Sequence, residues 1–164
     1  MQRSEGFTVL EGLVAVAVLL LLAGLCLPPG LEAVARQRVE AATRRVLLGF
    51  DRGREAAERH GLACALALDG GGWRAPGGGG ELPGCEAAAI SLGEGVHESA
   101  ALQLAHNLPE PVRFSANGLV LDGGTVLVSH PGTALVRCVV VSLPLGVTRV
   151  GLQNGGSCVP DPAL

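Results

Sequence analysis

One carboxylate inside a long apolar stretch is the residue of this 164-residue chain with the clearest chemical potential. Glu11 lies in the segment Phe7–Leu27, which is otherwise almost entirely apolar and is followed by Pro28 and Pro29. An acidic side chain at the centre of a bilayer costs about 2.5–3.5 kcal/mol, so intramembrane carboxylates mark functional sites by default. We therefore expect Glu11 to have a positively charged partner.

The six residues before the apolar segment suggest the source of that partner. Cleavage between Gly6 and Phe7 would keep the apolar segment on the mature protein and create an α-amino group four residues before Glu11. A secretory signal instead places its small-residue cleavage site after the apolar core. A conventional signal peptide or a plain membrane anchor remains an alternative, although no A-x-A-like site follows Leu27. Low dielectric would strengthen a pair between the new ammonium and Glu11, within one helix or between staggered neighbours.

These residues resemble the leader of type IV prepilins and type II secretion pseudopilins. Gly6 matches the residue before the prepilin peptidase cut, Phe7 the N-methylated terminus, and Glu11 the acid used for subunit docking. Pro28 falls where many pilins carry a helix-interrupting proline. The resemblance implies a structural minor pilin or pseudopilin, not an enzyme, without a cofactor. It implies an inner-membrane, single-pass precursor with a periplasmic head, which later enters a pilus or pseudopilus. Its partners would be other pilins or pseudopilins, prepilin peptidase and the inner-membrane assembly platform.

Two helical segments must position Glu11 and the head. Phe7–Leu27 is long enough to cross about 30 Å of hydrocarbon as one helix. After the prolines, which should kink or loosen the helix, apolar residues at steps of three and four predict an amphipathic helix to His60. A soluble coiled coil is the alternative for this part. The stripe comprises Leu31, Ala35, Val39, Ala42, Val46, Phe50, Gly53 and Ala57.

The period changes after Gly61, and short apolar runs separated by Gly, Pro and Asn predict strands. The glycine tract around Trp73 predicts a flexible loop. The fold class expected is α+β, with a long N-terminal helix packed on an antiparallel, β-rich, pilin-like head. The expected organisation is 1–6 leader, 7–30 transmembrane and assembly helix, 31–60 amphipathic helix and 61–164 head. The predicted strands are Leu62–Leu68, Ala87–Leu92, Ala100–His106, Val112–Ser115, Leu119–Leu121, Thr125–Ser129, Leu135–Ser142 and Thr148–Gly151.

Four cysteines in the head predict covalent reinforcement of a core that is poor in aromatic residues. Four cysteines allow three pairings, and an exported protein can form disulfides. We favour the sequence neighbours, Cys64–Cys85 and Cys138–Cys158, each closing a loop of about twenty residues worth about 3 kcal/mol. Zinc is the alternative, but the chain has no C-x-x-C pair and its histidines are scattered, so no metal site is expected.

Catalytic motifs are missing from the sequence. The chain contains no lysine, so a Lys-bearing P-loop is excluded, and no serine lies in a G-x-S-x-G elbow. His60, His97, His106 and His130 are isolated from one another in the sequence. The residues therefore indicate a protein that is processed by an enzyme and does no catalysis itself.

The end of the head carries a second, narrower resemblance, to the closing strands of GspH/FimT-type minor pilins. It covers Val112–Gly118, Gly124–Val128, Leu135–Ser142 and Gly146–Gly151. Some members bind DNA through a Gly-Arg-x-Arg segment, but Val147 replaces the first arginine here and only Arg149 remains.

Charge also weighs against a nucleic-acid partner. From Gly61 onward, four arginines face eight acids, a formal charge of −4, whereas DNA binding needs a basic footprint. A local patch of Arg113, Arg137 and Arg149 keeps a DNA-binding minor pilin of a DNA-uptake pilus as one alternative. A secreted, soluble, disulfide-bonded domain is the other.

Overall fold

A computed structural model describes residues 8–77, 82–85, 89–93, 101–143 and 145–161, without the side chains of residues 25–29. The leader 1–6, Gly6 and Phe7 lie outside the described residues. One long helix precedes nine strands, and the chain divides into two compact units, Met1–Val34 and Ala35–Leu164. The elements are α1 (Val9–His60), β1 (Cys64–Asp69), β2 (Gly72–Arg74), β3 (Ile90–Ser91), β4 (Gln103–His106), β5 (Val112–Phe114), β6 (Gly124–Ser129), β7 (Val136–Ser142), β8 (Val147–Asn154) and β9 (Ser157–Pro160).

The first unit contains the apolar beginning of α1. Its large side chains from Val9 to Leu22 are exposed by 48–83%. α1 is continuous across residues 28 and 29, so the two prolines do not end the helix. Within the part of the chain that the structure describes, no helical stretch is both long and apolar enough to span a membrane. The segment predicted to do so, Phe7–Leu27, extends beyond the described side chains at both ends.

In the second unit, α1 buries the stripe that the sequence predicts. Ala35, Val39, Ala42, Val46, Phe50, Gly53 and Ala57 are buried, and the neighbouring Ala56 joins them. Leu31 alone departs from the prediction, because it lies in the first unit and is 71% exposed. Most of the stripe belongs to one apolar core with side chains from both sheets. Burial of this stripe is what fixes the helix on the head.

Two antiparallel sheets form the rest of the head. The first has strand order β3-β2-β1-β5 and the second β4-β6-β7-β8-β9. In the second sheet, Val126 pairs with Val139 and Val139 with Val150, so one face presents a row of β-branched side chains to the core. The architecture is α+β, with a long helix against antiparallel sheets, as the sequence predicts.

The glycine tract was assigned wrongly near Trp73, where the sequence analysis expects a loop. Gly72–Arg74 form β2, which pairs with β1 through Leu68 and Trp73. The preceding turn is closed by Asp69, whose Oδ1 accepts hydrogen bonds from the amides of Gly71 and Gly72. Trp73 is 2% exposed and stacks edge-on against Phe50, with 4.9 Å between ring centroids.

Two glycines of α1 leave space for the aromatic side chains of the first sheet. A Cβ atom on Gly49 would lie 2.0 Å from Nε1 of Trp73, and one on Gly53 would lie 2.4 Å from Cζ of Phe114. The Trp73 indole donates a 3.1 Å hydrogen bond to the Val46 carbonyl. The head therefore packs directly on the helix backbone at these two positions.

Strand boundaries differ from the prediction at three further places. Leu119–Leu121 contributes only a bridge between Val120 and Phe114, and Leu62 lies outside β1 and is 65% exposed. The strand β9, which the sequence analysis does not predict, pairs with β8 through a turn at Gly155 and Gly156. The predicted strand Ala87–Leu92 extends partly outside the described residues, and its described end contains β3.

Candidate functional site

Glu11 lies in the first turn of α1, on the apolar and exposed part of the helix. Its backbone N–H donates to Oγ1 of Thr8 at 3.3 Å, and the Gly12 amide donates to the Thr8 carbonyl at 3.1 Å. Thr8 therefore caps the helix, and the T-x-x-E spacing matches a capping box. A carboxylate in the first turn is favoured by the helix dipole. This spacing is a local helix signal that the sequence analysis did not use.

The surroundings of Glu11 are exposed on every side of the helix that the structure describes. Leu10, Leu13 and Val14 are 72%, 63% and 57% exposed. A helix that is apolar all round normally belongs in a protein core or a membrane. Here an exposed carboxylate and exposed apolar side chains share one segment, which we call the assembly segment, Thr8–Gly24.

Arg113, the first candidate for a basic patch, is paired within its own sheet. Its guanidinium donates to both oxygens of Asp122, at 3.0 and 2.8 Å, and its backbone N–H donates to the same carboxylate at 2.8 Å. Asp122 is 7% exposed. The hydrogen bonds from Arg113 outweigh the effect of burial and lower the pKa of Asp122.

Arg137, the second candidate, is a buried structural ion. It donates to Oε1 of Glu40 at 2.8 and 2.6 Å and to Oδ2 of Asp161 at 2.6 Å. Burial opposes its charged form, but the hydrogen bonds to the two carboxylates keep its pKa above the ordinary value. Arg137 thus joins α1, the second sheet and the last described residue of the chain.

The three arginines do not form one patch. Arg137 pairs across the sheet with Leu152, in the same row parity as the buried Val139, whereas Arg149 pairs with Val140 on the opposite face. Arg113 lies on β5 of the other sheet. The structure therefore corrects the expectation of a local patch of Arg113, Arg137 and Arg149, because register places two of them on opposite faces and internal carboxylates pair two of them.

Both disulfides favoured from the sequence are present. Cys64–Cys85 and Cys138–Cys158 have Cα–Cα distances of 5.0 and 6.0 Å. The second links β7 to β9 across β8 at Gly151, where a Cβ atom would lie 2.2 Å from the Val159 carbonyl oxygen. The absence of a side chain at this position lets the hairpin β8–β9 approach closely enough for the bond.

The described histidines are also separate from one another. His106 lies 3.1 Å from the Leu68 carbonyl and 3.6 Å from the Glu110 carboxylate, and His130 Nδ1 accepts from the Gly132 amide. His97 lies outside the described residues. Among the residues that the structure describes, no group of three His, Cys, Asp or Glu side chains could hold a metal ion.

Polar anchors between α1 and the head were missed by the sequence analysis. Arg45 donates to the Leu92 carbonyl at 2.7 Å, Arg54 to the Gly146 carbonyl, and Glu40 accepts from Arg137. Each partner is more than forty residues away in the chain, so local spacing carries no signal for these contacts.

Comparisons of this chain with protein-family models, with curated proteins and with solved structures gave no match. The functional argument therefore depends on the assembly segment, the head and the leader residues of the sequence.

Proposed function

We propose that this chain is a minor pilin or pseudopilin, a structural subunit of a type IV pilus or a type II secretion pseudopilus. The observation that carries the proposal is the assembly segment, in which exposed apolar side chains surround one acid. The leader residues Gly6 and Phe7 support it from the sequence. The α+β architecture, with a helix against antiparallel sheets, is compatible with it.

In this proposal the precursor sits in the inner membrane, with its head in the periplasm. Prepilin peptidase cuts after Gly6, and Phe7 becomes the N-methylated terminus. The assembly platform then transfers the subunit from lipid to the fibre. Apolar packing between neighbouring helices drives association, because the exposed side chains of the assembly segment leave solvent or lipid together.

Glu11 gives the assembly its register. The carboxylate pairs with the α-amino group of a neighbouring subunit, and the pair is strong only when both charges meet within a medium of low dielectric. An unpaired carboxylate would cost several kcal/mol there. Neighbours out of register are therefore disfavoured, which makes Glu11 a positioning residue and not a catalytic one.

Substitution of Glu11 tests this function. We expect Glu11→Gln and Glu11→Ala to be trimmed normally but to enter the assembled fibre at least ten-fold less than wild type. The measurement is the ratio of subunit in sheared fibres to subunit in membranes. Glu55→Gln is the control, because Glu55 is an exposed acid of the same helix, paired only with Arg59 on the surface. Incorporation of both Glu11 variants at the wild-type ratio would remove the docking role.

A further inference from the structure

Exposed apolar side chains concentrate at one end of the head. Of the nine large apolar side chains exposed among the described residues of Ala35–Leu164, five belong to two neighbouring segments. A Cβ atom on Gly146 would lie 2.7 Å from Cβ of Val120, and one on Gly123 would lie 3.1 Å from Cγ of Leu143, so the two segments touch. We call this surface the apolar end; it consists of Leu119, Leu121, Leu143, Leu145 and Val147.

The apolar end also carries a cation. Arg54 of α1 donates to the carbonyl of Gly146, which lies between Leu145 and Val147. Its Nε atom is buried and has no hydrogen-bond partner in the described part of the chain. The same part of the chain offers this guanidinium no carboxylate. The apolar end is therefore a surface of exposed leucines beside a positive charge that lacks a counter-ion.

A second surface of the head has the opposite charge. Arg137, Leu152 and Val159 occupy one row across β7, β8 and β9, and Arg137 binds the two carboxylates of Glu40 and Asp161. Two acids and one arginine give this cluster a formal charge of −1. Leu152 and Val159 are 37% and 48% exposed. We call this surface the acidic end; it consists of Glu40, Arg137, Leu152, Val159 and Asp161.

The acidic end has an acceptor without a donor. Oε2 of Glu40 is buried and has no hydrogen-bond partner among the described atoms, although 24% of the side chain is exposed. Glu40 and Arg54 are fourteen residues apart on α1, which separates them by about 21 Å along the helix. The two charges therefore cannot pair within one molecule, whereas they can pair between two.

We propose that a second copy of this chain binds head to tail, with its acidic end on the apolar end of the first copy. The inference rests on the proposed function, since it names the partner and the head surfaces of the assembled subunit. Charge complementarity selects this arrangement, because a symmetric contact of two apolar ends would bring two Arg54 side chains together. The two ends differ, so the contact is heterologous and leaves one free end of each kind.

The size of the apolar end suits such a contact. Its side chains are 44–65% exposed, which corresponds to roughly 450 Å² of apolar surface. One side of a standard interface buries about 800 Å², of which slightly more than half is apolar. The apolar end alone therefore supplies about the apolar share of one specific interface.

Complementary single variants test the head-to-tail contact. Leu145→Glu places a negative charge in the apolar end, and Val159→Glu places one in the acidic end. The full chain is studied in detergent micelles that cover the assembly segment, and light scattering gives the protein mass as concentration rises. Leu62→Glu is the matched control, because Leu62 is as exposed as Leu145, at 65%, and lies outside both ends.

We expect wild type and Leu62→Glu to form species larger than dimers, and each of the other variants to stay monomeric. An equimolar mixture of Leu145→Glu and Val159→Glu should give dimers and nothing larger, since one intact end of each kind remains. That dimer also shows that both variants are folded. A wild-type chain that stays monomeric up to about 1 mM, or a Val159→Glu variant that dimerises alone, would overturn the contact.

The same assay separates this inference from the proposed function. Glu11→Gln should associate like wild type in micelles, because both ends of its head are intact. Normal association with failed fibre incorporation supports both proposals. Monomeric wild-type heads, with fibre incorporation that still depends on Glu11, would leave the proposed function standing and remove only the head-to-tail contact.

Discussion

Individual ion pairs within the head differ in their energetic value because their burial differs. Asp122 is 7% exposed and accepts three hydrogen bonds from Arg113, whereas Asp69 is 41% exposed in its pair with Arg74. Hydrogen bonds to charged, buried groups contribute about 1.5–3 kcal/mol each way, and exposed pairs contribute about 0–1 kcal/mol. The two aspartates therefore offer a matched comparison.

Asp122→Asn should lower the free energy of unfolding by about 1–3 kcal/mol at pH 7. Arg113 holds the pKa of Asp122 below its ordinary value, so its contribution is present above the unfolded pKa of about 3.9 and disappears as the pH falls through the folded pKa. The variant should consequently lose less stability than wild type between pH 7 and pH 3. Denaturant unfolding at several pH values measures this difference.

Asp69→Asn is the control for this prediction. The pKa of Asp69 is also lowered, first by its hydrogen bond with Arg74, but solvent screens the exposed pair and the expected loss at pH 7 is under about 1 kcal/mol. Equal losses for Asp69→Asn and Asp122→Asn would contradict the assignment of the larger role to the buried carboxylate.

Among the secondary-structure elements, α1 depends on two missing side chains as much as on its apolar stripe. Gly49 and Gly53 face the rings of Trp73 and Phe114, which are 2% and 0% exposed and cannot move into solvent. Alanine normally stabilises a helix by about 1 kcal/mol relative to glycine. At these positions the new methyl group would overlap a buried ring.

Gly49→Ala and Gly53→Ala should therefore lower stability by about 1–3 kcal/mol, which corresponds to about 5–15 °C in Tm. Fluorescence of Trp73, the one tryptophan of the chain, reports the transition. Gly30→Ala is the control, because no atom lies within 4 Å of its added Cβ. A Tm of Gly49→Ala or Gly53→Ala at or above that of Gly30→Ala would disprove close packing of the rings on the helix.

The elements that the sequence predicts are those with a repeated signal along the chain. The buried face of α1 follows from a period of three and four residues, and β6 and β7 follow from runs of branched apolar residues. The wrong loop at Trp73 came from reading glycines as a linker, whereas Asp69 closes a tight turn there. The hairpin β8–β9 has its own signal, Asn154-Gly155-Gly156-Ser157, with positive φ at both glycines.

The candidate site shows the same division. Glu11 and the two cysteine pairs are visible in the sequence because their meaning depends on nearby residues. The ion cluster of Arg137 is not, since Glu40 is 97 residues away and only the packed helix brings it near β7. Spacing alone left Arg137 and Arg149 as members of one patch, and strand register separates them.

On the scale of the whole molecule, the fate of residues 1–6 decides between the proposed subunit and its alternatives. A conventional signal peptide would be removed together with the apolar segment, and a plain anchor would keep its polar start. A pilin-type subunit loses only Met1–Gly6 and gains a methyl group on Phe7. The assembly segment and the two ends of the head can act in one fibre only if they remain on the same mature chain.

The intact mass of the mature protein should therefore match a chain that begins at Phe7 with one added methyl group. Gly6→Leu should block this trimming, because a bulky side chain replaces the small residue at the cut, and the precursor mass should persist. Gly30→Ala should be trimmed like wild type, since its position lies far from the cut. A mature chain that begins beyond Leu27 would favour the secreted, soluble domain, because neither Glu11 nor the apolar helix would then be available for assembly.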